Sequence, residues 1–167
     1  MRASAALAAA AAVLIATCGG GGLREPAECP PFAPPPAGPR SAYAASVTYG
    51  LEQMLAVEDA FRLAWPDRRL REREQFRRDF VAYAHAMRCF ARATAALEPE
   101  VSAPAAANFP AFDQFLEGEL AFVLETIDLG WKAVESRNRS KYREFIERAE
   151  EMHTRLLSAA NGARALP

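Results

Sequence analysis

Seven positions between Phe76 and Leu97 follow one another at alternating intervals of four and three: Phe76, Phe80, Tyr83, Met87, Phe90, Thr94 and Leu97. A 3.5-residue repeat keeps one seam of an α-helix facing the same way turn after turn, and such a seam must be covered by other helices. Ala84 and Ala91 flank it and permit close approach. The chain is therefore expected to be a packed helical assembly.

The rest of the sequence after Ser41 supplies the covering faces. Val47, Leu51, Met54, Phe61 and Trp65 are separated by steps of three, four and seven, which is one helix face, weakened locally by Gly50 and ended by Pro66-Asp67. A third helix is expected from a cap at Asn108, with Pro110, Asp113 and Glu117 placed early. Its core face reads Phe112, Leu116, Leu120, Val123, Ile127, Trp131 and Val134, widened by Phe115, Phe122 and Leu129. The fourth pattern, Tyr142, Phe145, Ala149, Met152, Leu156 and Ala160, is expected to stop at Gly162.

Ser136 to Ser140 contains no Gly or Pro, so the third and fourth patterns are compatible with one continuous rod. A turn is the preferred reading, because a rod of about fifty residues leaves a wide apolar face uncovered. No alternating strand pattern survives. The expected fold is all-α, an antiparallel four-helix bundle spanning residues 41–167.

Composition narrows the partners. Twenty Lys+Arg against 21 Asp+Glu leave a net charge of -1, which excludes a general polyanion binder. The 51% apolar fraction includes 37 Ala, so the core depends on the 10 Phe, 4 Tyr, 2 Trp and the aliphatic residues at the seam positions.

Residues 1–17 have a different character. Arg2 precedes an apolar run from Ala5 to Ala16, the layout of an export signal and too short to span a bilayer comfortably. The run ends in Leu14-Ile15-Ala16-Thr17-Cys18, which resembles the lipobox of bacterial lipoproteins: an aliphatic residue, two small residues, then the cysteine that receives lipid. Thr17 stands where that family prefers Gly, Ala or Ser. The resemblance covers residues 1–18 and implies diacylglyceryl and N-acyl modification at Cys18. In that family a residue other than Asp after the cysteine, here Gly19, sends the protein to the outer membrane of a Gram-negative host; the periplasmic face of that membrane is the expected location.

Residues 18–40 read as a tether. Gly19 to Gly22 cannot hold secondary structure against their backbone entropy. Seven of the twelve prolines fall between Pro26 and Pro39, and polyproline II there is expected to hold the bundle away from the membrane. With Cys18 taken by lipid, two cysteines remain in an oxidising compartment, Cys29 and Cys89, and an even remainder points to a bridge. The other reading leaves Cys89 as a small apolar helix residue.

Charge is unevenly distributed. From Pro66 to Leu97 eight Arg face four acids, a local +4, while Ala111 to Glu135 holds six acids against Lys132, a local -5. Opposite signs favour these two helices as neighbours. A second reading takes Arg71, Arg78, His85 and Arg92, seven apart, with the cluster Arg68-Arg69, as a surface for anionic headgroups or an acidic partner. Few aromatics interleave, which argues against nucleic acid.

The residue patterns that carry catalysis are absent from the sequence: no nucleophile elbow, no phosphate-binding glycine loop preceding a helix, no metalloprotease helix. Glu150-Glu151-Met152-His153 has the Glu-x-x-His spacing of di-iron bundles, but no second copy exists, and Glu150 falls outside the seam. Met54 and His153, on the first and last helices, match by residue type the haem ligands of small periplasmic cytochrome bundles. The leading expectation is a non-enzymatic, lipid-anchored envelope protein without cofactor, acting on a protein or other envelope component. A haem or metal carrier using Met54 and His153 is the alternative.

Overall fold

The computed structural model describes residues 22–36, 41–66, 74–99 and 109–167. Ser41 opens the first helix: its Oγ accepts the Ala44 N–H at 3.1 Å, satisfying one of the donors a helix start leaves free. From there α1 runs Ala42–Ala64, α2 Glu74–Ala95, α3 Phe109–Glu135 and α4 Arg139–Arg164. Each packs on the next, and α4 closes on α1, so the expected antiparallel four-helix bundle is the fold. The acidic α3 is indeed a neighbour of the basic α2, with Arg88 paired to Asp128 at 2.6 Å.

Two ends of the bundle follow from this topology. One gathers the C-termini of α1 and α3 with the N-termini of α2 and α4; the other gathers the remaining four termini. The seam of α2 is the spine of the core, with Phe76, Phe80, Tyr83, Met87, Phe90 and Thr94 all buried. Toward the first end the core is largely aromatic. Phe61 stacks on Tyr83 at 4.4 Å, and Phe80 and Phe145 meet edge to face at 5.6 Å. Contacts of this kind add about 0.5–1.5 kcal/mol each beyond burial.

The third and fourth helices are separate. Asn138 donates its N–H to the Ala133 carbonyl and Arg137 to that of Val134, the bond pair of a Schellman cap. Arg137 takes the left-handed position with φ 52. Asn138 then caps α4 at once, its Oδ1 accepting from Lys141 N–H at 3.0 Å. One residue in a glycine-type conformation and one capping side chain make the turn, so neither Gly nor Pro is needed.

Three expectations are corrected. First, α4 does not stop at Gly162 but continues to Arg164. Gly162 lies within the helix, where a Cβ would come 3.0 Å from the Phe112 ring; its small size serves packing. Second, the wide face of α3 is only partly used, with Phe112, Phe122, Leu129 and Trp131 half-buried and Phe115 41% exposed.

The third correction concerns the proline-rich segment. Residues 22–36 do not stand away from the bundle. They lie along it as a strap, with Leu23 and Phe32 packed against the core and Cys29 joined to Cys89 of α2, Cα atoms 5.6 Å apart. The strap begins with Gly22 against Glu135, at the α3–α4 turn. It passes Arg88 and Cys89, sets the Phe32 ring edge-on to Tyr49 at 5.4 Å, and reaches the opposite end where Pro35 lies near Arg164. Gly50, which weakens α1 in isolation, is where Phe32 and Thr94 approach too closely for a Cβ.

Candidate functional site

The strap covers one group of chemically active side chains. His85 and Cys89, one helical turn apart on α2, share a face, and Cys29 meets them from above. His85 Nε2 lies 2.8 Å from the Glu28 carbonyl oxygen; a carbonyl only accepts, so Nε2 carries the proton. The same nitrogen is 3.6 Å from Cys89 Sγ. Potential ligand atoms of Cys29, His85 and Cys89 lie within 4.8 Å of one another, a spacing that would suit a metal for free thiolates. Bonded to each other, the sulfurs instead lock the strap. Arg88 completes the fastening: it pairs with Glu25 of the strap and with Asp128, and its guanidinium lies 4.8 Å from the Trp131 ring centroid.

This arrangement takes His85 out of the basic stripe. His85 does not lie on an open face between Arg78 and Arg92, because the strap roofs it and leaves it 8% exposed. Arg78 and Arg92 are exposed, with Arg78 donating to Gln75 at 2.9 Å. Arg68, Arg69 and Arg71, like Cys18 and the Asn108 cap, lie outside the described residues.

A second group is buried between α1 and α4. Glu58 is 1% exposed, with one oxygen 3.1 Å from His153 Nδ1 and the other 3.5 Å from Arg62. Asp59 stands 3.8 Å from the same His153 nitrogen. Burial pushes the Glu58 carboxyl above its usual range, against the pull of His153 and Arg62. The Tyr83 phenol is likewise held far above 10, by burial first and the Glu58 charge second. Shut into the interface of two helices, the acid–imidazole pair acts as a clasp between them. Met54, one turn before Glu58, is completely buried in the core, and His153 is committed to Glu58. Glu150 is exposed, as its place outside the seam requires.

Glu58 is not among the residues that the sequence patterns single out, although a signal is there. It continues the register of Val47, Leu51 and Met54, so an acid occupies a core position of α1. On a single helix such an acid demands a partner from elsewhere.

The third feature is a cleft of about 430 Å³ at the end where the strap begins. Arg77 of α2, Arg137 of the turn and Arg139 at the start of α4 line it, over Phe76 and Tyr142. Its described lining contains no acid. A second groove, about 340 Å³, lies at the opposite end between Pro35, Tyr49, Glu52 and Arg164, and there Arg164 is paired with Glu52 at 2.8 Å. The two grooves differ in their described lining: Glu52 and Arg164 pair in one, and Arg77, Arg137 and Arg139 line the other.

Compared with known proteins, the chain matches no family model, no curated protein and no solved structure. Among the described residues no helix is long and apolar enough to cross a membrane.

Proposed function

We propose that this chain is a lipid-anchored protein of the bacterial envelope, held at Cys18 on the periplasmic face of the outer membrane. It works without catalysis, by contact with another envelope component. The observation that carries the reading is the strap. Cys18 stands four residues before Gly22, and four residues span at most about 14 Å. Since the strap is bonded to α2 from Cys29 onward, a lipid on Cys18 would keep the α3–α4 end of the bundle close to the bilayer. The proline-rich segment then sets orientation, where a loose tether would set only distance.

The Cys29–Cys89 pair also fits an oxidising compartment. The burial of Glu58 and its pairing with His153 give that pair a structural task, which is consistent with a binding domain.

The anchor is tested by Cys18→Ser in a bacterial host. The variant should leave the membrane fraction or accumulate as unprocessed precursor, and mass spectrometry of the wild type should find an acylated N-terminal cysteine. A variant that still sediments with membranes at the mature size sinks the reading.

A further inference from the structure

We propose that the Cys29–Cys89 bond is a thiol–disulfide exchange centre as well as a fastening: an external dithiol attacks Cys29, and His85 receives the Cys89 thiolate that leaves. The exchange is stoichiometric, one dithiol oxidised for each bond opened, and so requires no turnover. It stands on α2 and the strap alone and does not depend on lipid at Cys18.

The two sulfurs are not equivalent. Cys29 lies in the strap and is exposed, whereas Cys89 is 6% exposed beneath it. A thiolate bonds to the sulfur it can reach and expels the other, so Cys29 is the sulfur attacked and Cys89 is the leaving group.

The side chain beside the leaving sulfur suits that part. His85 Nε2 carries its proton 2.8 Å from the Glu28 carbonyl oxygen and 3.6 Å from Cys89 Sγ. Glu28 directly precedes Cys29, so the bond that is cut is also the bond that holds this carbonyl in place. Opening it lets the strap carry the carbonyl away as Cys89 becomes an anion, and the freed N–H finds its new acceptor one helical turn along α2. The other ring nitrogen, Nδ1, is buried with no hydrogen-bond partner among the described residues and lies 3.7 Å from Glu25 Oε2. An apolar residue at position 85 would fill the space under the strap without an unsatisfied buried nitrogen, so packing does not account for the imidazole.

The reaction balances in two displacements. In the first, one thiolate of the dithiol bonds to Cys29 Sγ, the Cys29–Cys89 bond breaks, and its electron pair leaves on Cys89 Sγ, against the His85 N–H. In the second, the other thiolate of the dithiol attacks its own sulfur in the mixed disulfide and Cys29 leaves as thiolate. The dithiol ends as a disulfide. Its two electrons rest on Cys29 and Cys89, which take up from solvent the two protons that the dithiol gave up.

The test uses the full oxidised chain in neutral detergent at constant pH. 2-Mercaptoethanol, a small neutral monothiol, stops the reaction after the first displacement; acid and N-ethylmaleimide then fix the products for peptide mass spectrometry. Mercaptoethanol is expected on Cys29 and maleimide on Cys89. The rate of bond opening is compared in wild type, His85→Leu and His85→Gln. Loss of the N–H should slow opening by about 10-fold, the low end of what a hydrogen bond to a charged group is worth, and Gln, which keeps an N–H donor, should restore most of the rate. A looser strap would expose Cys29 and speed attack, so a merely structural role for His85 predicts the opposite sign. Trypsin cleavage after Arg24 in the oxidised variants reports strap loosening separately.

Mercaptoethanol on Cys89, or divided evenly between the two sulfurs, overturns the assignment of Cys29 as the reactive atom. His85→Leu opening as fast as wild type or faster, or His85→Gln opening as slowly as His85→Leu, overturns the role of His85 and leaves the bond a fastening alone.

Discussion

Breaking the Cys29–Cys89 bond, by reduction or as the double variant Cys29→Ser/Cys89→Ser, should release the strap while the four helices stay folded. The bridge joins positions 60 residues apart. Closing a loop of that length removes about 14 cal/mol/K from the unfolded chain, or about 4 kcal/mol at 25 °C. The strap's own contacts are weak by comparison. Leu23 and Phe32 are only partly buried, the Glu25–Arg88 pair is near the surface, and each residue held in place costs about 1 kcal/mol or more of backbone entropy. The strap thus stays on the bundle because it is covalently held. Two readouts follow. Trypsin should cut after Arg24 much faster in the reduced chain than in the oxidised one, and global unfolding should become easier by up to about 4 kcal/mol. That corresponds to a fall of roughly 8–16 °C in Tm for a chain of this size. Circular dichroism in urea, with and without reductant, measures the second effect. A reduced chain that resists trypsin at Arg24 as well as the oxidised one, or whose urea midpoint has not moved, refutes this account of the strap.

Two glycines of α3 should respond to alanine with opposite signs. Gly118→Ala meets nothing within 4 Å and should stabilise by about 0.5–1 kcal/mol through helix propensity. Gly130→Ala places a Cβ 2.6 Å from the Phe145 ring and 3.0 Å from Phe80, and overpacking of about 1–3 kcal/mol should exceed that gain; urea midpoints of the pair decide. For Arg137→Gly, relief of about 1–2 kcal/mol at the left-handed position less about 0.5–1 kcal/mol of added unfolded-state entropy predicts a small net rise in stability by the same assay. Glu58 should give the fold an acid-side preference. Its folded pKa is raised above 4.5, so its contribution is fully present below 4.5 and is lost as pH rises through the raised value. Glu58→Gln should flatten that part of the stability-versus-pH curve measured in urea, and an unchanged slope would contradict the burial argument.

The seams of α2 and α4 and the core face of α1 are legible in the residue order because helix periodicity is local: seven positions a few residues apart state which face is buried. The bundle follows, since amphipathic helices must cover one another. The α3–α4 turn is harder to read, because its cap uses Arg137 in a conformation no sequence pattern announces, and Asn138 looks like any polar residue until its Oδ1 meets Lys141.

Tertiary structure alone decides the rest. Proline content gives the strap its extended conformation but says nothing of where it will lie. One covalent bond and two half-buried side chains turn an expected spacer into a layer over His85. Glu58 is merely an acid in an apolar register until α4 brings His153 to it, and Arg77 of α2 meets Arg137 and Arg139 of the α3–α4 turn only at the cleft. The periodic spacing of side chains along one helix is a property of the chain; the meeting of charges from different helices exists only once packing has set the distances, and the chemistry of this protein lies in those meetings.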